Sequence, residues 1–259
     1  MVMALADIIK QTSDKGYLYD GGLAGFFCCV YESVYQRELP YGIYAKYSHE
    51  PCLLPLKHIY TDISKAGKVR ASIPKKISAR ALQMVENVFL SCLEERELAL
   101  LRFLLLGYSE GSNITKQWGR AEIAPLLAAE RHLWGECHLL QGFVRFSDHQ
   151  GVLIAVISPK NYVLPYIAGH FINRYSSENF MIYDKTHQAA LIYHDRRQDI
   201  IPVQDIEFPA LAAEEEEYRE LWKCFYHTVA IEERANPRCR MTHMPKRYWE
   251  NMTEMHDLL

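Results

Sequence analysis

Three kinds of residue in this chain can do chemistry: scattered acid–base groups, one histidine–glutamate cluster, and two runs of cations without acids. The acid–base candidates are Asp20, which ends a Tyr-Leu-Tyr-Asp stretch before two glycines, His170 and Asp184. A carboxylate or imidazole can take or give a proton in a reaction, but none of the three has a partner at a diagnostic spacing. His132, Glu136 and His138 suggest a metal site. His132 and Glu136 are i, i+4 neighbours, whereas His138 is read as lying beyond a helix-to-strand boundary, and no fourth ligand is near. The expectation is therefore no metal and no cofactor. The cations carry more information. Segment 63–85 holds Lys65, Lys68, Arg70, Lys75, Lys76 and Arg80 with no acid, and segment 234–249 holds Arg234, Arg238, Arg240, Lys246 and Arg247 with no acid. The rest of the chain has 18 basic against 32 acidic residues, so a net charge of −3 conceals two basic stretches on an acidic body. That asymmetry suits a phosphate-bearing partner. Guanidinium groups fork onto phosphate oxygens, and Tyr248 can stack on a base or anchor the tail by burial. Arg145, beside Phe143, and Arg174, one turn beyond His170, complete the set of candidate nucleic-acid contacts.

The elements that must hold these residues follow from periodicity. Residues 137–205 read as strand, strand, helix, strand, strand: His138–Phe146, Val152–Ile157, a helix within 159–174 with Val163, Ile167 and Phe171 as its core stripe, Phe180–Asp184 and Ala189–Tyr193. The gaps at 147–151 and 185–188 are hairpin-length, which predicts a largely antiparallel sheet. The fold expected is α+β, a mostly antiparallel sheet flanked by helices, in a single domain spanning 1–259. Its parts are a helix-rich 1–136, the sheet core 137–205, and a helix plus basic tail over 206–259.

Upstream, Gly16–Asp20 reads as a strand ending in a helix cap. Leu23, Phe26, Phe27, Val30 and Val34 form one helical face. Lys57–Thr61 and Lys68–Ile73 read as paired strands, with Pro74 opening the next helix. Residues 94–108 read as a central helix, and 112–136 as another with Trp118, Ile123, Leu127 and Leu133 in the core. Downstream, 200–209 reads as a short strand and exit loop. A helix beginning at Ala213 is expected to pack through Leu221, Trp222, Phe225, Val229 and Ile231.

Seven cysteines at 28, 29, 52, 92, 137, 224 and 239 have no regular spacing. Reduced thiols, no disulfide and a cytoplasmic protein are expected, with at most one of the adjacent Cys28 and Cys29 facing fully into the core. No signal peptide pattern opens the chain, and the run 98–106 is too short to span a bilayer, so no membrane association is expected.

Three ordered motifs, Tyr19-Asp20-Gly21-Gly22, His138-Leu-Leu-Gln-Gly-Phe-Val-Arg-Phe146 and Met244-Pro-Lys-Arg-Tyr-Trp249, make the chain resemble a bacterial family of unknown function associated with DNA metabolism and DNA repair. Members of that family are encoded beside a radical SAM protein of DNA modification or repair, and a related domain is fused to uracil-DNA glycosylase-type domains. The resemblance implies an accessory protein that binds DNA and works with a radical SAM partner. It implies no reaction and no catalytic residues. The three-cysteine cluster motif of a radical SAM enzyme, a phosphate-binding loop and a Gly-x-Ser-x-Gly elbow are all missing from this sequence. The other reading is an enzyme acting on a nucleotide or a nucleic-acid base, with Asp20, His170 or Asp184 as acid or base and Arg145 or Arg174 on phosphate.

Overall fold

Tyr17 and Tyr19 set the frame of the N-terminal half. Both are fully buried in strand β1 (Gly16–Tyr19), and all four residues of that strand are shielded, as for a central parallel strand covered on both faces. The computed structural model describes residues 8–9, 12–46, 54–204, 206, 208, 211, 213–234 and 236–258. Cys52 and parts of the 200–209 stretch lie outside them. The chain divides into two compact units, 1–133 and 134–259.

In the first unit β1 pairs in parallel with β2 (Ile43–Ala45) and β3 (Leu56–His58). Helix α1 (Leu23–Gln36) buries Phe26, Phe27, Cys28, Cys29 and Val30 in succession. Both adjacent cysteines are therefore core residues, contrary to expectation. The 100° between them fits inside a broad apolar arc, because α1 meets β1 and two other helices. Asp20 does not cap α1. Gly22 is the cap residue, while Asp20 Oδ1 accepts from the Gly22 N–H at 2.9 Å and its other oxygen takes the Thr61 hydroxyl. Gly25 is required here, since a Cβ would collide with the Asp20 carboxylate.

Lys68–Ile73 is helical, within α2 (Ile63–Lys76), and not a strand. Val69, Ala71 and Ile73 alternate, but Ala66, Val69 and Ile73 also fit a helical stripe, and those three are the buried ones. The Asp62 carboxylate decides for helix by accepting from Ser64 N at 2.8 Å and Lys65 N at 3.1 Å. Pro74 accordingly lies in the last turn of α2. The next helix, α3 (Ala79–Phe89), is capped by Ser78. Helix α4 (Arg96–Glu110) buries Leu98, Leu100, Leu101 and the whole of Phe103–Leu106, and is central. Trp118, expected in the core, is 70 % exposed.

Helix α5 (Ala124–Phe143) carries the boundary between the units. It runs through the residues read as a first strand. Cys137 and Leu140 are buried at helical spacing, and Val144 N still donates to Leu140 O at 3.0 Å. None of 138–146 is strand; Ser147–Asp148, expected in the hairpin turn, form the short strand β4. The second unit then forms a five-stranded sheet in sequential order with β5 (Leu153–Ile157), β6 (Phe180–Asp184), β7 (Ala189–His194) and β8 (Arg197–Pro202). The gap at 185–188 gives the expected antiparallel pair of β6 and β7, whereas β5 meets β4, two residues of the expected turn, in place of 139–146, and β5 and β6 are parallel, in register from Leu153↔Phe180 to Ile157↔Asp184. Helix α6 (Leu164–Arg174) makes that crossover, which a parallel pair needs. With one wholly parallel and one mixed sheet, the architecture is mixed α/β, and the mostly antiparallel expectation is corrected. Val163, Ile167 and Phe171 are buried as the stripe required.

Helix α7 (Ala213–Thr228) departs most from expectation. Leu221, Trp222, Phe225, Val229 and Ile231 are between 41 and 57 % exposed. The helix rests on the 3-10 stretch Thr253–Leu258 and on β4, which leaves its apolar side open. A short helix α8 (Pro237–His243), capped by Asn236, and the 3-10 turn Lys246–Asn251 complete the tail. Among the described residues no helix is long and apolar enough to cross a membrane.

The six described cysteines form no disulfide with one another. Burial pushes the Cys137 thiol up to about 12 and Cys29 further still, whereas Cys92, Cys224 and Cys239 are exposed. Alkylation of the native protein at pH 8 is expected to modify those three and spare Cys29 and Cys137 until denaturation, as peptide mass mapping would show. Early labelling of Cys137 would contradict the packing of α5.

Candidate functional site

Arg145 and Arg174 meet in one open cleft of the second unit, about 490 Å³ in volume, together with Arg219. Gly142, Val144, Phe146, Tyr175, Glu215, Tyr218 and Trp222 line it with them. Each arginine arrives on a different element: Arg145 just after α5, Arg174 as the last residue of α6, and Arg219 midway along α7.

Their electrostatic states differ. Arg145 is clamped, with Nη1 donating to the carbonyls of Gly142 at 2.9 Å and Val144 at 3.3 Å and Nη2 to Glu254 Oε1 at 2.7 Å. Its guanidinium lies 5.8 Å from the Trp222 ring centre, and the Trp222 indole N–H donates to Glu254 Oε2 at 3.0 Å. Burial alone would raise the Glu254 carboxyl. The hydrogen bonds from Arg145, the backbone and Trp222 outweigh that and hold it below the usual carboxylate range. Arg219 is paired with Glu215 at 2.9 Å and donates to the Ser147 hydroxyl, while Glu215 also accepts from Asp148 N at 3.1 Å. These contacts fix α7 to β4. Arg174 is exposed, lies 5.8 Å from the Tyr175 ring centre, and has no carboxylate partner among the described residues.

The cleft therefore offers one uncompensated guanidinium, two restrained ones whose charge is largely neutralised, and partly exposed rings on Tyr218 (66 %) and Trp222 (41 %), the latter stacked on Phe225 with centres 5.7 Å apart. Guanidinium forks bind phosphate bidentately, and exposed rings stack on bases. Arg219, Tyr218 and Trp222 escaped the sequence reading, which assigned Trp222 to packing. The only sequence signal for them is the i, i+3, i+4 run 218, 221, 222 on α7, which reads as an ordinary buried stripe.

The basic tail divides. Arg234 and Arg238 are exposed, and neither they nor Arg240 has an ion-pair partner among the described residues. Lys246 lies 5.6 Å from the Trp249 ring centre. Tyr248 is buried and Arg247 is spent on a buried carboxylate, which argues against their expected role as nucleic-acid contacts. Tyr248 is 3 % exposed, packs on Phe143 at 5.7 Å, and donates its hydroxyl to Glu136 Oε1 at 3.0 Å. Arg247 pairs with the same carboxylate at 2.8 Å. Glu136 is thus a buried hub, also accepting from Lys160 N at 3.1 Å, Asn161 N at 2.8 Å and the Asn161 amide. Both of its oxygens are committed to these donors, and no group of three or more metal-ligating residues occurs among the described residues.

Of the acid–base candidates, Asp20 belongs to the first unit, and the other two lie in the second. Asp184 is fully buried and caps its turn, accepting from Thr186 N at 3.0 Å, His187 N at 3.1 Å and His187 Nδ1 at 2.7 Å. His170 packs edge-on to Phe171 with Nε2 buried and unpartnered, and neither it nor Asp184 lines the arginine cleft. In the 63–85 segment, which lies in the first unit, Arg70 pairs with Glu86 at 2.8 Å and Arg80 with the buried Glu130.

The model of a family described as a domain of unknown function, DUF4130, matches residues 94–254, more than half of the chain and all of the arginine cleft. No curated protein gives a significant match. No solved structure does either.

Proposed function

We propose, from the premise that the chain belongs to the DUF4130 family, that it is a nucleic-acid-binding accessory protein of DNA repair or modification which presents unpaired DNA to a radical SAM enzyme. The observation that carries this reading is the uncompensated Arg174 beside the exposed rings of Tyr218 and Trp222 in one open cleft. A base between aromatic faces and a phosphate on a guanidinium are the two contacts that hold single strands without reading their sequence. The exposed Arg234 and Arg238 of the same unit add cations that a strand can follow. The radical SAM partner rests on the resemblance carried by the three motifs.

The test is fluorescence anisotropy against single-stranded and duplex DNA at several salt concentrations, with and without a radical SAM protein encoded beside the gene. Arg174→Ala is expected to weaken binding and to lower the slope of log affinity against log salt by roughly one unit, because one phosphate is no longer neutralised. Its melting temperature should stay within a degree or two, because an exposed, unpaired arginine contributes little to folding. Trp222→Ala should cost single-strand binding about 1–3 kcal/mol and duplex binding less. Unchanged affinity in the Arg174 variant at low salt would remove the basis of the proposal.

A further inference from the structure

The first unit has a cavity of its own, between α1, α2 and the end of α4, which plays no part in the proposed strand binding. Val30, Tyr31, Val34, Tyr35, Lys68, Val69, Ser72, Lys76 and Tyr108 line its roughly 250 Å³. The floor is apolar. Tyr31 and Tyr35, i and i+4 on α1, lie nearly parallel at 10° with centres 6.1 Å apart, and Tyr35 is 72 % exposed. The other wall is one face of α2, where Lys68, Ser72 and Lys76 follow at intervals of four. No acidic residue lines the cavity. Lys76 lies 5.8 Å from the Tyr108 ring centre, and Lys65 stands 5.4 Å from that of Tyr31.

The hydroxyl pair at the middle of that wall has a defined direction. Ser72 Oγ donates to Val69 O at 2.8 Å, so its contact with the Tyr108 hydroxyl at 2.7 Å must be donated by the tyrosine. The Tyr108 oxygen is left as an acceptor, and burial raises its pKa so that the phenol stays neutral. The site thus combines a planar stacking face, an acceptor for one N–H or O–H group, and two flexible ammonium groups. Its volume is near the small end of ligand pockets, which suits a single ring system.

We propose that this cavity binds one nucleoside monophosphate, its base against Tyr31 and Tyr35, a sugar or base donor on Tyr108, and its phosphate between Lys68 and Lys76. The lysines account for part of the acid-free run 63–85 that Arg70 and Arg80 leave unexplained, those two being spent on Glu86 and Glu130.

The inference is independent of the arginine cleft, and the experiment keeps it so. Calorimetric titration with dAMP is run on Arg174→Ala, whose cleft is disabled, and on the same chain with Lys68→Ala and Lys76→Ala added. Saturable dAMP binding is expected in the first, at least tenfold weaker binding in the second, and a several-fold loss on Tyr35→Ala. Inorganic phosphate and deoxyribose 5-phosphate should bind at least tenfold more weakly than dAMP, since neither can stack. All three positions are exposed or at a helix surface, and unchanged melting curves are expected for each variant. No saturable binding of dAMP, equal affinity after loss of both lysines, or phosphate binding as well as dAMP would each overturn the proposal.

Discussion

Glu136→Ala is expected to destabilise the unit 134–259 by about 3–5 kcal/mol, lowering its melting temperature by on the order of 10 °C or more. The carboxylate is almost wholly buried and takes hydrogen bonds from Lys160 N, Asn161 N, the Asn161 amide and the Tyr248 hydroxyl, besides its ion pair with Arg247. Alanine would leave the guanidinium without its counter-charge and several donors without an acceptor, and each such loss costs the desolvation of the stranded group. The charge also gives a pH signature. Burial alone would raise the Glu136 pKa, but the Asn161 and Lys160 N–H groups, the Asn161 amide and Arg247 hold it below its ordinary value of 4.5. A carboxylate depressed on folding contributes stability that is present above its unfolded pKa and lost as pH falls through the folded one. Wild-type protein should therefore lose stability as pH falls below about 4.5, and Glu136→Ala should lack that part of the acid limb. Urea unfolding at pH 7 and between pH 5 and 3 tests both statements. A change under 1 kcal/mol at pH 7 would mean that the hub does not hold the tail.

Tyr248→Ala should act on the same assembly through packing. Emptying a buried aromatic position costs about 3–5 kcal/mol, and the Tyr248 ring lies against Phe143 with its hydroxyl on Glu136. Tyr248→Phe keeps the ring and loses one hydrogen bond, for about 1 kcal/mol. In the Glu136→Ala background the phenylalanine change should cost less than it does alone, because the groups share one network. DNA affinity of Tyr248→Ala, measured at a temperature where that variant is still folded, should equal that of wild type, since a ring that is 3 % exposed cannot stack on a base. A selective loss of single-strand binding with unchanged melting would restore the stacking role that burial argues against.

Much of the second unit was legible along the chain. β5, α6, β6 and β7 lie close to where alternation, the stripe 163, 167, 171 and the hairpin gaps put them. Legibility failed where two periods fit one run. Val69, Ala71 and Ile73 alternate and also wind, and the Asp62 cap decided between them. Phe143, Arg145 and Ser147 alternate, but helix α5 continues through Phe143 because its inward positions at 137 and 140 are already packed. The apolar stripe of α7 is real as a pattern, yet a pattern records which face could be covered and says nothing of whether anything covers it.

The charge asymmetry and most of the local elements can be read along the chain, because capping, periodicity and composition act over a few residues. Which cations are available was decided only by the tertiary structure. Arg70, Arg80, Arg145 and Arg247 look like Arg174 and Arg238 on paper, and each of the four finds a carboxylate 16, 50, 109 or 111 residues away in the chain. An ion pair forms wherever folding brings opposite charges within about 4 Å, whatever their separation along the chain. The same long-range placement turned Tyr248 inward and brought Arg145, Arg174 and Arg219 to a single cleft.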